Sequence, residues 1–176
     1  YCVMRLFFSV LILIVLSSCG NTIYIVRHAE KATGTSPAGM NTIADPPLTA
    51  EGEERALALK QMLGGKNIRH IYSTNTIRTT STAKPLKELF LNMPINIYSN
   101  KADSMDLFIQ QLKGIKKGNV LVVGHSNTVD DISNKLAGSA VIPGDLNDNE
   151  YDNIFIIKRK GDKYSFKREK YGPPSK

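Results

Sequence analysis

Short apolar runs alternate with amphipathic segments along this chain, and this alternation limits its possible folds more than any other feature. The apolar runs predict strands over 22–27, 70–73, 96–98 and 119–124. The intervening segments predict helices from Thr49 to Gly64-Gly65, over 77–91, from Asp103 or Ser104 to about Lys113, and over 128–136. Strands that alternate with helices favour an α/β fold, with three α/β/α layers around a mostly parallel sheet.

Local signals refine two of these elements. Thr49 is the expected N-cap of the first helix, and its expected buried face consists of Ala56, Leu57, Leu59 and Leu63. The Gly161-Asp162 turn between 153–160 and 163–171 predicts a terminal β-hairpin, in which apolar and basic side chains alternate. A basic strand face of this kind is typical of a solvated surface, and it would also suit an anionic membrane.

The N-terminal segment has the pattern of an export signal. The apolar run Leu6–Leu16 follows Met4 and Arg5, and it is shorter than the roughly 20 residues that span a bilayer. Leu16-Ser17-Ser18-Cys19-Gly20 resembles the lipobox of bacterial lipoproteins, and a plain secretory signal is the alternative. The sequence therefore predicts a signal peptide over 1–18, a lipid on Cys19, and a domain over 19–176 on the extracytoplasmic side of a bacterial membrane, periplasmic or at the cell surface. Its core would form without disulfides.

The net charge of +7 suits anionic substrates or an anionic membrane surface. Nucleic acid is not an expected partner, because the basic residues lack interleaved aromatic side chains and a recognisable binding motif.

Two histidines each follow an apolar strand: His28 after Arg27, and His125 after Gly124. In open α/β sheets ligands bind at the carboxyl ends of the strands, so these side chains are expected in one pocket. Arg78 follows the second strand and would face the same place. Guanidinium groups bind phosphoryl oxygens bidentately, so two arginines and two histidines predict a phosphate pocket that needs no metal and no cofactor.

These segments resemble the histidine phosphatase superfamily, also called phosphoglycerate mutase-like. The matching pieces are Arg27-His28-Ala29-Glu30, Pro47-Leu48-Thr49-x-x-Gly52, the Ser73–Ala83 segment and Gly124-His125-Ser126. The resemblance implies a phosphoglycerate mutase-like fold and a phosphatase in which His28 attacks phosphorus. It also implies that Arg27, Arg78 and His125 hold the phosphoryl oxygens, and His125, when protonated, would stabilise charge in the transition state.

Two departures from the family pattern affect this interpretation. Ala29 stands where most members have glycine, which requires that its φ is not positive. Many members also supply an acid to the leaving group from an insertion that this chain lacks; Asp103 is the best candidate here, followed by Asp106 and Glu30. A helix-capping role is the alternative for Asp103. Without an acid, the chain resembles compact members that act on protein phosphohistidine.

Other residues near the predicted pocket have two interpretations. Glu30 and Lys31 either line its mouth and contact substrate or pair with each other in water. Ser126 and Asn127 either donate to phosphate or cap the following helix.

The expected function is hydrolysis of phosphomonoesters or of protein phosphohistidine. The alternatives are a phosphoglycerate mutase-type phosphotransferase and a non-catalytic lipoprotein that binds a phosphorylated ligand. A serine hydrolase is rejected, because Thr128 replaces the glycine of the nucleophile elbow and no histidine follows His125.

Overall fold

The computed structural model describes residues 20–33 and 44–175. The expected signal peptide over 1–18, Cys19 and most of the loop between Thr33 and Pro47 lie outside the described residues.

Six strands form one sheet in the order β3-β2-β4-β1-β5-β6. The strands are β1 (Thr22–Arg27), β2 (Ile68–Ser73), β3 (Ile95–Ile97), β4 (Asn119–Gly124), β5 (Asn153–Lys160) and β6 (Lys163–Lys170). The helices are α1 (Ala50–Leu63), α2 (Ile77–Lys87), α3 (Ala102–Gly114) and α4 (Val129–Ala137). The first four strands are parallel, and β5 and β6 form the antiparallel terminal hairpin. The mostly parallel α/β sheet is confirmed.

Two apolar cores cover the two faces of this sheet. In β4, Val120 and Val122 face α3 and α4, whereas Leu121 and Val123 face α1 and α2. All four side chains are fully buried, which is why β4 is a continuous apolar run without polar alternation. The three-layer arrangement is therefore confirmed.

Three details of the helices differ from the sequence-based expectation. Leu57 is half exposed, because the buried positions of α1 are spaced three and four residues apart and fall on 52, 55, 56, 59 and 63. The second helix ends at Lys87, four residues early, because tighter turns follow and Asn92 adopts a positive φ. In α3, Lys101 is the N-cap position and Asp103 lies in the first turn, so neither Asp103 nor Ser104 caps that helix.

The start of α1 packs directly on the chain after β1. Thr49 caps α1 by accepting from Gly52 N–H, as predicted, and its own N–H donates to the carbonyl of Glu30. A Cβ at Gly52 would overlap that carbonyl oxygen. The glycine is therefore required by close contact between two backbones.

No helix in residues 20–33 and 44–175 is long and apolar enough to cross a lipid bilayer.

Candidate active site

Strand register brings the two strand-end histidines together. Arg27 of β1 lies opposite Gly124 of β4, and the next residue, His28, donates its N–H to the Gly124 carbonyl at 2.9 Å. The rings of His28 and His125 are 5.5 Å apart, edge to face. The two carboxyl ends therefore deliver both imidazoles to one edge of the sheet.

A cavity of about 510 Å³ opens at this edge. Five of the predicted site residues line it: Arg27, His28, Arg78, His125 and Ser126. The remaining lining residues are Lys31, Thr76, Asn100, Asn127, Asp145 and Asp148. The lining combines three basic side chains with two carboxylates, so the cavity is basic near the histidines and acidic on the loop that follows α4.

His28 is held as a neutral imidazole. Its Nδ1 lies 2.7 Å from the carbonyl oxygen of Ala29, which can only accept, so Nδ1 carries the proton and Nε2 the lone pair. Burial lowers the pKa of His28 to about 3, and the charge of Arg27 acts in the same direction. Nε2 is thus an unprotonated nitrogen at neutral pH, which is what a nucleophile requires.

Ala29, whose carbonyl accepts the hydrogen bond from His28 Nδ1, has ordinary backbone geometry. Among the described residues only Asn67 and Asn92 combine a side chain with a positive φ, so the backbone condition that alanine imposes at this position is met. The Ala29 N–H donates to Thr82 Oγ1 of α2 at 2.9 Å.

His125 is also neutral in this structure. Burial lowers its pKa to about 4, and the charges of Arg78 and Arg27 add to the effect. Its Nε2 lies 2.8 Å from the hydroxyl of the buried Thr74. A phosphate dianion beside the ring would raise this pKa, so any protonation of His125 would accompany anion binding.

The two arginines are oriented by different partners. The guanidinium of Arg27 donates to the carbonyls of Asn147, Asp148 and Glu150 and lies 4.2 Å from the centre of the Tyr151 ring. Arg78 forms an ion pair with Asp45 at 3.1 Å. In both side chains the Nε–H is buried and has no partner within the described residues, so neither guanidinium has all of its donors satisfied.

Three predicted acids lie elsewhere. Asp103 is exposed in the first turn of α3 and accepts from the neighbouring Ser104, and Asp106 pairs with Lys135 on the surface. Glu30 forms a bidentate pair with Arg55, at 2.6 Å for the shorter contact, and borders a separate cavity beside the C-terminal residues. It therefore pairs neither with Lys31 nor with a ligand in the cavity of His28.

Ser126 and Asn127 line the cavity, and neither caps α4, because Thr128 is the N-cap position of that helix.

Sequence reasoning missed the carboxylates that border the cavity. Asp145 and Asp148 lie on the loop between α4 and β5, and Asp45 reaches Arg78 from the loop before α1. The signal was present: the stretch from Gly138 to Asp152 is long for a connection and enters β5 at the carboxyl edge of the sheet. Loops of that kind commonly carry functional side chains.

No group of three or more histidine, cysteine, aspartate or glutamate side chains is arranged to hold a metal ion in the two described ranges.

Comparison with protein families finds a match over the first part of the described chain. Residues 23–100, which include Arg27, His28 and Arg78, match the family model of the histidine phosphatase superfamily, branch 1. The likeness to this superfamily therefore covers 78 of the 176 residues. Comparison with curated protein sequences finds no match.

Solved structures share the fold of this chain. One from Escherichia coli, provisionally named as an alpha-ribazole-5'-P phosphatase, is 16% identical with a TM-score of 0.63, over 85% of this chain and 96% of its own. An Agrobacterium tumefaciens protein provisionally named phosphohistidine phosphatase SixA is 15% identical with a TM-score of 0.60, over 88% and 99%. The mycobacterial glucosyl-3-phosphoglycerate phosphatase Rv2419c is 14% identical with a TM-score of 0.60, over 88% and 100%.

Proposed function

We propose that this protein is a phosphatase that hydrolyses phosphomonoesters, or phosphohistidine in proteins, through a phosphohistidine formed on His28. The observation that carries the proposal is the hydrogen bond from His28 Nδ1 to the Ala29 carbonyl, which leaves the Nε2 lone pair free in a cavity lined by Arg27, Arg78 and His125. The names of the structural neighbours support the reaction class.

The proposed reaction has two steps. Nε2 of His28 attacks phosphorus, the bond from phosphorus to the leaving oxygen breaks, and that oxygen takes up a proton. Water then attacks the phosphorus of the phosphohistidine, the P–N bond breaks, and its electron pair returns to Nε2. The guanidinium groups of Arg27 and Arg78 and the imidazole of His125, which line the cavity, bind the phosphoryl oxygens in both steps, and neither step requires a metal.

The proton for the leaving group comes, in this proposal, from the loop after α4. Asp145 and Asp148 are the carboxylates that line the cavity, whereas Asp103 does not reach it. An alkoxide leaving group needs such an acid far more than an aryl oxide or an imidazole does.

The first experiment measures phosphate release from an aryl phosphate and traps the intermediate. Wild-type protein mixed with radiolabelled substrate and quenched in base should carry label on histidine. His28→Ala should lose this label and at least about a thousandfold in turnover. The matched control is His70→Ala, since His70 lies at the opposite edge of the sheet beside Lys117. Equal turnover in the two variants would contradict the nucleophile assignment. Binding of phosphorylated ligands without turnover would favour a binding protein instead.

A second experiment tests the acid. Asp148→Asn and Asp145→Asn should lower turnover of an alkyl phosphate by about a hundredfold or more, while turnover of an activated aryl phosphate changes little. Asp103→Asn is the control and should behave as wild type with both substrates. The protein has no general acid if it hydrolyses phosphohistidine peptides well and alkyl phosphates poorly, and if none of the three substitutions changes either rate.

We also propose that Cys19 carries a lipid and that the domain lies on the extracytoplasmic side of the membrane. The lipobox-like segment Leu16–Gly20 supports this location. Mass spectrometry of the protein purified from bacterial membranes should show an acylated N-terminal cysteine. A Cys19→Ser protein that partitions with membranes as fully as wild type would count against the lipid.

A further inference from the structure

The edge of the sheet opposite the cavity carries a dense group of basic side chains. Three stretches that are far apart in sequence, 64–70, 113–119 and 158–163, meet there because they contain the start of β2, the start of β4 and the tip of the β5–β6 hairpin. Their basic residues, which we call the basic edge, are Lys66, Arg69, Lys113, Lys116, Lys117, Lys158, Arg159, Lys160 and Lys163.

This edge accounts for the whole positive charge of the protein. The three stretches hold nine basic residues and one acidic residue, Asp162, a net charge of +8, while the entire chain has a net charge of +7. The ion pairs in the described part of the chain involve other basic residues. The rest of the molecule is thus close to neutral, and the charge is concentrated at one end.

Backbone and asparagine hydrogen bonds hold these stretches in fixed positions. Asn119 accepts from Thr22 N–H at 2.8 Å through its side chain and donates to the Lys66 carbonyl. Asn21, which is buried, donates to the Ile115 carbonyl at 3.1 Å and accepts from Arg159 N–H at 2.9 Å. The basic edge is therefore a rigid part of the sheet.

The apolar N-terminal segment joins the domain at the same edge. The described chain begins at Gly20, next to Asn21 and Thr22, and Thr22 lies opposite Lys158 in the sheet. The run Leu6–Leu16 and Cys19 precede this point directly in the sequence. A basic surface beside the attachment point of an apolar segment matches an anionic lipid bilayer in both charge and position.

We propose that the basic edge binds the headgroups of an anionic phospholipid bilayer. The six residues of β1 span about 20 Å, so an edge in contact with the bilayer places His28 at the far end, facing water. Each lysine near an anionic bilayer contributes about 1 kcal/mol of attraction, which corresponds to roughly fivefold in binding. This contact adds to any lipid on Cys19 and depends neither on that lipid nor on the proposed phosphatase activity.

The test compares lysine acetylation in the full-length protein bound to two kinds of vesicle. One is phosphatidylcholine alone and the other is a roughly three-to-one mixture with phosphatidylglycerol. The unprocessed chain is used, because its apolar run Leu6–Leu16 can associate with both vesicles and a difference in labelling then reports headgroup charge. Acetylation of Lys158, Lys160 and Lys163, followed by mass spectrometry, should be at least about fivefold slower on the anionic vesicles. High salt should abolish the difference.

Internal controls and one variant complete the test. Lys101 and Lys170 lie at the cavity end of the sheet, at the start of α3 and at the end of β6, and their labelling should be the same on both vesicles. In K158Q/K160Q/K163Q, protection of Lys116 and Lys117 should also fall, whereas K101Q/K170Q should retain it.

Three results would overturn the proposal. The first is equal labelling of the hairpin-tip lysines on the two vesicles. The second is protection of the control lysines by anionic vesicles as strong as that of the hairpin-tip lysines. The third is protection of the hairpin-tip lysines by RNA without protection by anionic vesicles. None of these results bears on turnover, so the proposed function is judged separately.

Discussion

His28 and His125 are both neutral, because burial disfavours a charged imidazole and the positive charges of the neighbouring arginines disfavour it further. For His28 this places the reactive lone pair on Nε2 without any adjacent base. Such activation costs stability in acid, because the unfolded chain can protonate a histidine that the folded protein keeps neutral.

The pH dependence of stability should reveal this cost. The folded pKa of His28, about 3, lies below the ordinary value of 6.5, so between these values the unfolded state binds more protons and stability rises with pH. The contribution is complete above about pH 6.5. His28→Asn removes it, and the free energy of unfolding of wild type relative to this variant should fall by about 2 kcal/mol from about pH 7 to about pH 5. Chemical denaturation at several pH values measures the difference, and parallel profiles would contradict a buried neutral His28.

In the proposed reaction Asp45 would compete with phosphate for Arg78. The carboxylate pairs with the guanidinium at 3.1 Å and also accepts from Ile77 N–H. Asp45→Asn retains an oxygen for the Ile77 bond and removes the negative charge, so inorganic phosphate should inhibit about fivefold more strongly. Inhibition of aryl phosphate hydrolysis measures this effect. Weaker inhibition in the variant would indicate that Asp45 orients Arg78 for the ligand.

At the scale of elements, the helix α1 positions the chain that follows β1. Gly52 contacts the backbone of Glu30, and Arg55 holds the Glu30 side chain while donating to the carbonyls of Tyr171 and Pro173. Two residues of one helix thus connect the segment after His28 to the C-terminal residues.

Gly52→Ala should disturb both folding and the site. The added Cβ overlaps the Glu30 carbonyl oxygen, so the backbone two residues after His28 must move, at a cost of about 1–3 kcal/mol in the free energy of unfolding. Turnover should fall as well. Gly65→Ala is the matched control, because a Cβ there meets nothing within 4 Å. Thermal unfolding and aryl phosphate turnover of both variants test the contact, and similar results for the two would show that α1 adjusts freely.

Arg55→Met should destabilise the protein strongly. The substitution leaves the partly buried Glu30 carboxylate and two carbonyls without their donor, and loss of one partner from a buried pair costs about 3 kcal/mol or more. Lys135→Met removes the exposed pair with Asp106 and should leave stability unchanged. Denaturant titrations compare the two variants, and equal stabilities would mean that the Arg55 pair is as solvated as the surface one.

Prediction from sequence succeeded for elements whose signal is local. The run Val120–Val123 and the Thr49 cap need only short-range pattern, and the structure confirms both. The predicted burial of Leu57 and the predicted length of α2 are wrong, because the buried face and the ends of a helix depend on the residues that pack against it.

At the scale of the whole molecule, the cavity and the basic edge lie at opposite ends of the sheet. A bilayer at the basic edge would leave the mouth of the cavity in water. Anionic vesicles should therefore leave turnover of a soluble aryl phosphate by the full-length protein within about twofold of its value on neutral vesicles. Strong inhibition by anionic vesicles would indicate that the lipid covers the cavity. His28→Ala should lose the same fraction of turnover on both vesicles, so this result is judged separately from the nucleophile test.

The sequence by itself determined the α/β class, the order of the strands along the chain and the four basic groups of the site, three at strand ends and one at the start of α2, because these depend on hydrophobic period and on the chemistry of single residues. Only the tertiary structure decided which carboxylates share the cavity. Asp103 is the acid that the family resemblance favours, because it precedes β4, yet Asp145 and Asp148 line the cavity from the loop after α4, and Glu30, two residues from His28, pairs with Arg55. The position of the positive charge was decided in the same way. Lysines spread over 64–163 become one surface only when the starts of β2 and β4 and the tip of the hairpin meet at one edge, since sheet pairing joins residues that are remote in sequence.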